Sequence, residues 1–524
     1  METALLLGAP VLVATWVVIA LDWRRGVYGL ILFTPFTGFV VAALSPSPIG
    51  ALVRDVLIVA PLYLGFFLLS GQLRGDRLPF ALYAVFGVFA LLVLFGMANP
   101  NVPNMMVAGI GAKVWLFYIP MLLVGAAMPR TEDELRRVLR LFVVCAWIPW
   151  GVGITMFLGA TLYDYEATIR FFYGDYALHA TQRFGTFQGL GATLFRIPGS
   201  FQFNSQYGVF CFFMMFPIFM LLEIETDRRW RTFIWISLTV ALMAAFTSGA
   251  RGNFVFIPLI FVLIQFFRFR AGGLLQGVLG IGGGMAIALA FAGLDGEKIA
   301  SQTGTLIGNY TDEIAVGGML DGLSKGGIFG MGVGANTGAA RHGQDAAVQA
   351  LMFEKGTLIE NFFAKAMVEL GAIGFFIVLA CYGLMFLFTL QIRRDLRTTR
   401  FKGVAACGVA MVVFVTLTSF KGWALDTDPL NYYYYLTLGF VFALPHIERQ
   451  TMGAAAPARP APAAPGLQRR PLIGRPVGFA PRPGSLPRLG PLPPAPRGGS
   501  AFDPTPRAEP APPPGAALDP QPRD

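Results

Sequence analysis

Charge and histidine are what this chain has least of. Asp, Glu, Lys and Arg make up only 13% of its 524 residues, and there are three histidines. An ordinary soluble domain carries about 25% charged residues, so a water-soluble fold is excluded by the missing charge. The 55% hydrophobic content and mean hydropathy of +0.61 exclude it again. Cysteine is scarce as well. Cys145, Cys211, Cys381 and Cys407 each sit inside an apolar run without metal-ligand spacing, which leaves neither a disulfide framework nor a zinc site and reads as small buried hydrophobes. Catalytic signatures are also missing: there is no Ser-His-Asp order, no His-Glu-x-x-His and no aspartate-rich nucleotide-sugar motif. The glycine run from Gly326 to Gly338 lacks the Gly-Lys-Ser/Thr of a phosphate-binding loop and reads as a compact, turn-rich segment. The N-terminus has no basic n-region, so no cleavable signal peptide is expected.

What is present is one apolar stretch after another, each about 20 residues long, the length a helix needs to cross a bilayer. In lipid, backbone N–H and C=O groups must bond within their own segment, so these stretches are helices. Spans are expected near 4–21, 27–45, 52–70, 79–98, 107–128, 138–159, 205–223, 232–249, 253–268, 273–293, 363–390, 403–420 and 431–446. Thirteen spans result, or twelve if the two closely spaced first segments count as one. Basic residues cluster at Arg24–Arg25, Arg74–Arg77, Arg130–Arg140, Arg228–Arg231, Arg268–Arg270 and Arg393–Lys402. Alternating spans put all of these on one side, which retention of basic loops makes cytoplasmic. The opposite loops hold only scattered cations such as Arg54, Lys113 and Lys421. The net charge of +10 follows from this topology and from anionic lipid, not from nucleic acid. The expected class is an all-α polytopic membrane domain over 1–448. A Pro/Ala/Arg-rich tail over 449–524, with runs such as Pro457-Ala458-Arg459-Pro460, cannot bury a core and reads as a disordered cytoplasmic extension.

Two external loops exceed a turn, about 160–204 and about 294–362, and long loops on a rigid scaffold are where function concentrates. The first carries Tyr163, Asp164, Glu166, Arg170, Asp175, His179 and Arg183, and closes in Arg196-Ile-Pro-Gly-Ser-Phe-Gln-Phe-Asn204 before a span. The second closes in Glu360-Asn361-Phe-Phe. Between them, two spans meet at Thr247-Ser248-Gly-Ala-Arg251-Gly252. Arg251, flanked by small residues that permit close approach, fits an anion-binding guanidinium. For Arg196, phosphate binding and snorkelling to lipid headgroups both remain open. Glu360 reads as a helix-terminal carboxylate favoured by the macrodipole or as a general base. Lone loop histidines such as His179 and His342 read as solvated. Glu223 and Glu369, near span ends, are also expected to be solvated, and charges inside the membrane are too sparse for a proton path.

These three constellations, in this order, resemble the O-antigen ligase and polysaccharide polymerase superfamily. The closest part runs from about 190 to 390: the Thr247–Gly252 helix end, the large glycine-containing loop, and Glu360-Asn361-Phe-Phe-Ala-Lys-Ala-Met-Val-Glu-Leu-Gly371. The resemblance implies a glycosyltransferase of the bacterial inner membrane that acts, on the periplasmic side, on undecaprenyl-diphosphate-linked glycans. It needs no metal or cofactor and inverts the anomeric centre. It implies that Arg251 and Arg196 clamp the diphosphate, with Ser248, Asn204 and Asn361 around the substrate, and that Glu360 takes the acceptor proton. Flippase and chain-length-regulating proteins would be its partners. Ligase-like members often carry histidine where Glu360 stands, which shifts the expectation from ligase toward a repeat-unit polymerase. A lipid-linked sugar transporter, the alternative from another class, would instead place polar residues deep in the bundle.

Overall fold

The computed structural model describes residues 2–44, 50, 52–71, 77–181, 186–189, 192–250, 252–268, 315–335, 361–422 and 424–455. The molecule is a helical membrane protein. Among the described residues, eight helices are long and apolar enough to cross a bilayer. They are Trp23–Ala43, Phe80–Met97, Met105–Ala127, Glu132–Leu162, Asn204–Ile224, Arg228–Thr247, Phe362–Asp395 and Thr399–Ser419. Leu12–Leu21, Asp55–Leu69 and Val255–Arg268 are shorter apolar helices. The expected span 273–293 and the tail beyond 455 lie outside the described residues.

Polar side chains start these helices where the backbone has donors to satisfy. Thr131 accepts from Glu134 N at 3.2 Å, Asn104 from Val107 N at 2.9 Å and Asp227 from Arg229 N at 2.8 Å. Glu132, Asp133 and Glu134 crowd the first turn of Glu132–Leu162, at the positive end of its dipole. The helix Phe362–Asp395 breaks at Gly371, whose φ of +71° only glycine adopts without strain. The break lets the 326–334 segment pack in: Met331 N donates to Val368 O at 2.7 Å and Gly332 N to Glu369 O at 3.1 Å. Positive φ at Gly327, Gly330, Gly332 and Gly334 makes this the compact turn-rich stretch that its composition implies.

At the centre stands Leu430–Ala455. Tyr432, Tyr433 and Tyr434 are fully buried, and Tyr435 is nearly so. The tyrosines lower its hydropathy, so this 26-residue helix is not among the eight despite its length. It packs on Met121–Ala127 through Gly439 and Gly125, where an added Cβ at Gly439 would come within 2.6 Å of Gly125 Cα. Small residues at helix crossings in lipid allow this approach.

Polar contacts between distant segments sort into two sets that share no loop. One joins Arg24 to Glu134 (3.3 Å), Arg140 to Glu225 (2.7 Å), Arg268 to Glu223, and Glu448 to Thr398 N (2.6 Å). The other joins Arg54 to Asp428 (3.0 Å), Lys113 to Asp55 (2.5 Å), Lys365 to Asp426, and Ile197 N to Ser248 O (3.1 Å). Alternating spans require this partition. Glu223 is therefore ion-paired with Arg268, not left to solvent as its position at a span end implied.

Candidate functional site

The first long loop is largely structured. After Glu132–Leu162 the chain forms the kinked helix Tyr165–Thr181, then an antiparallel hairpin of Thr186–Gly189 and Ala192–Phe195, the one sheet among the described residues. Tyr165, Ile169, Tyr173 and Ile197 form a small apolar cluster of their own under Phe195. The Tyr165 ring stacks on Phe195 at 5.4 Å, and its hydroxyl donates to Arg196 O at 3.1 Å. The next residue, Ile197, donates its N–H to Ser248 O. The peptide that follows Arg196 is thus held at both its C=O and its N–H, and the Arg196 side chain is half-buried.

The turn that receives it is Ser248-Gly249-Ala250. The Ser248 hydroxyl donates to Ala245 O at 2.7 Å and accepts from Asn253 Nδ2 at 3.0 Å and Ala250 N at 3.2 Å. Ser248 is buried and shapes the turn. Gly249 has φ +70°, and a Cβ there would meet Phe195 O and Arg196 Cα. Two of the three constellations are therefore in backbone contact. Arg251 itself lies outside the described residues, but its neighbour Gly252 does not: a Cβ at Gly252 would come within 2.6 Å of Lys421 Nζ. Lys421 also lies 4.6 Å from the Phe256 ring centroid.

Of the third constellation, Glu360 lies outside the described residues and Asn361 is a helix cap. Its buried side-chain oxygen accepts from Phe363 N (2.9 Å) and Ala364 N (3.1 Å), and its Nδ2 donates to Ala315 O at 3.3 Å. Asn204 opens the helix Asn204–Phe213 and is half-buried. The His179 side chain and His342 are also outside the described residues.

Sequence reasoning missed the charges buried beside these segments. Lys365 is fully buried, pairs with Asp426 and lies 4.8 Å from the Trp115 ring centroid. Glu369, one turn on, accepts from Trp115 Nε1 at 2.6 Å and Gly334 N at 3.1 Å. It has no solvent exposure, which corrects the expectation of a solvated span end. Burial pushes the Asp426 carboxyl up; Lys365 opposes this and Glu369 adds to it. Nearby, the buried Arg54 bonds Asp55 Oδ1 (3.2 Å) and Asp428 Oδ2 (3.0 Å) and lies 4.3 Å from the Tyr432 ring centroid. Asp55 also takes the Tyr432 hydroxyl at 2.6 Å and Lys113 at 2.5 Å. Charges inside the bundle are thus numerous enough to form networks, against the sparse set expected. The signal was available: adjacent Arg54-Asp55 heading an apolar run, Lys365 and Glu369 one turn apart in another, and Lys421, Asp426 and Asp428 within eight residues of one loop. Such charges are costly in lipid unless paired or functional. Among the described residues no group of three His, Cys, Asp or Glu could hold a metal, and the four cysteines are buried and free.

No family model matches the chain, and no curated protein matches it either.

Proposed function

We propose that the chain is a membrane glycosyltransferase that joins undecaprenyl-diphosphate-linked repeat units into a surface polysaccharide. It works from the periplasmic face of a bacterial inner membrane through twelve or thirteen spans, with its tail in the cytoplasm. The observation that carries this reading is the clasp between Ile197 N and Ser248 O, seated on Gly249, which sets Arg196 beside the turn that leads to Arg251. Lys421 puts its ammonium against Gly252, three residues along the chain from Gly249. Guanidinium groups bind phosphate bidentately, and preorganised cations matter most where charge develops. In this reading Arg196 and Arg251 hold the diphosphate of the donor. An acceptor hydroxyl attacks the anomeric carbon from the opposite face, the C–O bond to the lipid diphosphate breaks, and the bonding pair leaves on phosphate. Glu360 takes the hydroxyl proton. A flippase would supply the donor, and a chain-length regulator would limit the product.

The test is Arg251→Ala and Arg196→Ala in the producing strain, with membrane insertion checked by immunoblot. Accumulation of single lipid-linked repeats is expected. Normal high-mass polymer from stably inserted variants refutes the reading, and long lipid-linked chains would assign a ligase instead. A transporter of lipid-linked sugar is a second reading, favoured by the buried Arg54–Asp55 pair and the half-buried Lys113 and Asp428 bonded to it. Purified protein that moves lipid-linked sugar across liposomes without forming glycosidic bonds would establish it.

A further inference from the structure

A cleft separate from the Arg196 clasp opens between the second apolar segment, the start of the third, and the loop before the central helix. It holds about 380 Å³ of unfilled space, its open mouth included, and is lined by Phe33, Thr37, Arg54, Gln202, Gln206 and Asp428 among others. Its polar atoms are prearranged. Asp428 gives Oδ2 to Arg54 at 3.0 Å, while its Oδ1 is buried and has no hydrogen-bond partner among the described residues. Such an acceptor is costly to leave unmet. Gln206 turns its amide oxygen onto the main-chain N–H groups of Gln202 (3.0 Å) and Phe203 (3.1 Å). That fixes the amide's orientation and leaves its NH2 to offer donors. The Thr37 hydroxyl donates its proton to Thr34 O at 3.0 Å and keeps its lone pairs.

Two cations, Arg54 and Lys113, face two carboxylates, Asp55 and Asp428, so the network is formally neutral. A neutral site of alternating donors and acceptors suits hydroxyl groups, each of which both gives and takes a hydrogen bond. It does not suit a diphosphate, which Asp428 would repel. We infer that this cleft binds the sugar hydroxyls of the glycan whose lipid diphosphate lies at Arg196. The inference rests on the transferase reading for the identity of that glycan. Gln202 is six residues along the chain from Arg196, at most about 20 Å away, within the reach of a short oligosaccharide.

The experiment uses full-length protein in nanodiscs and two probes. One is the free oligosaccharide released by mild acid from the producing strain's lipid-linked repeats; the other is bare undecaprenyl diphosphate. Saturation-transfer NMR measures the first and competition with labelled lipid the second. Gln206→Glu keeps an oxygen for the Gln202 and Phe203 N–H groups but removes the donors. It should weaken oligosaccharide binding about tenfold, with lipid diphosphate binding unchanged. Thr37→Val, nearly isosteric, should weaken it in the same direction and decides the matter if the first variant fails to fold. No oligosaccharide binding by the wild type, or equal affinity in the folded variants, overturns the cleft. Failure of the transferase reading looks different: the wild type then neither binds undecaprenyl diphosphate nor makes polymer, and the cleft is still judged by the oligosaccharide alone.

Discussion

Replacing Gly249 by alanine tests the clasp at its narrowest point. At φ +70° a non-glycine residue costs roughly 1–2 kcal/mol before any contact is considered. The added Cβ would lie 2.0 Å from Phe195 O, 2.8 Å from Phe195 C and 3.0 Å from Arg196 Cα. Real Cβ atoms essentially never come within 3.0 Å of a neighbour, so the hairpin must retreat from the turn by about 1 Å. That stretches the Ile197–Ser248 bond, now 3.1 Å, past useful length. Displacement of about 1 Å in a positioning element costs on the order of 100-fold in rate. Gly151→Ala is the control: nothing lies within 4 Å of its Cβ position, inside the helix Glu132–Leu162. Alanine there should stabilise by about 0.5–1 kcal/mol. The assay is polymer length in a deletion strain complemented with each variant, with thermal unfolding of the purified proteins alongside. If Gly249→Ala makes full-length polymer and melts with the wild type, the clasp does not position Arg196, and the central observation fails.

Arg54→Met takes the guanidinium from Asp428, leaves Asp55 with Lys113 alone, and should destabilise by about 3–5 kcal/mol in thermal or denaturant unfolding, with partial recovery when Asp428→Asn is added. An unchanged midpoint for the single variant would show the pair to be dispensable. Glu369→Ala strands the Trp115 indole N–H and Gly334 N–H, at about 1–3 kcal/mol for each buried donor, and should quench or shift Trp115 emission in a single-tryptophan background. Burial alone would raise the Glu225 carboxyl, but Arg140 and the N–H groups of Asp227 and Thr226 outweigh it and hold it below its ordinary value. Its stabilising contribution is therefore full above the unfolded pKa, near 4.3, and is lost as pH falls through the lower folded value. Glu225→Gln should flatten the acid limb of the stability profile; an identical limb in both proteins would exclude the pairing as its source.

The helices were legible because lipid imposes one rule on every span, so Phe80–Met97 and Thr399–Ser419 fall where apolar length alone puts them. Their internal breaks were less so. The 52–70 span is a relay of π and α turns, and 205–223 divides at Met214, because local backbone winding follows packing and leaves no mark on hydropathy. The proximity of Arg196 and Ser248 could be inferred from their placement at helix ends on one side, whereas the hairpin that delivers Arg196 could not, since Thr186–Phe195 lacks a strong alternating pattern. Ser248 and Asn361 were singled out as polar groups near substrate; the Ser248 hydroxyl bonds within its turn, and Asn361 caps its helix and reaches Ala315 O. Arg54 and Lys113 were read only as scattered loop cations, and Lys365 and Asp428 were passed over, because the pairings that bury them reach across as many as 374 residues of chain.

The four tyrosines of the helix Leu430–Ala455 have a consequence for how the chain is made. At about 100° per residue they sweep roughly 300° of its circumference, so no face of Tyr432–Tyr435 is apolar enough to recommend itself to lipid during synthesis. The Tyr432 hydroxyl ends on Asp55, the Tyr433 hydroxyl on Ile31 O and the Tyr434 hydroxyl on Met385 Sδ, all from segments translated earlier. This segment leaves the ribosome after the helices that hold its hydroxyls and partitions into the membrane as their guest, so those helices must be in place before the keystone is set.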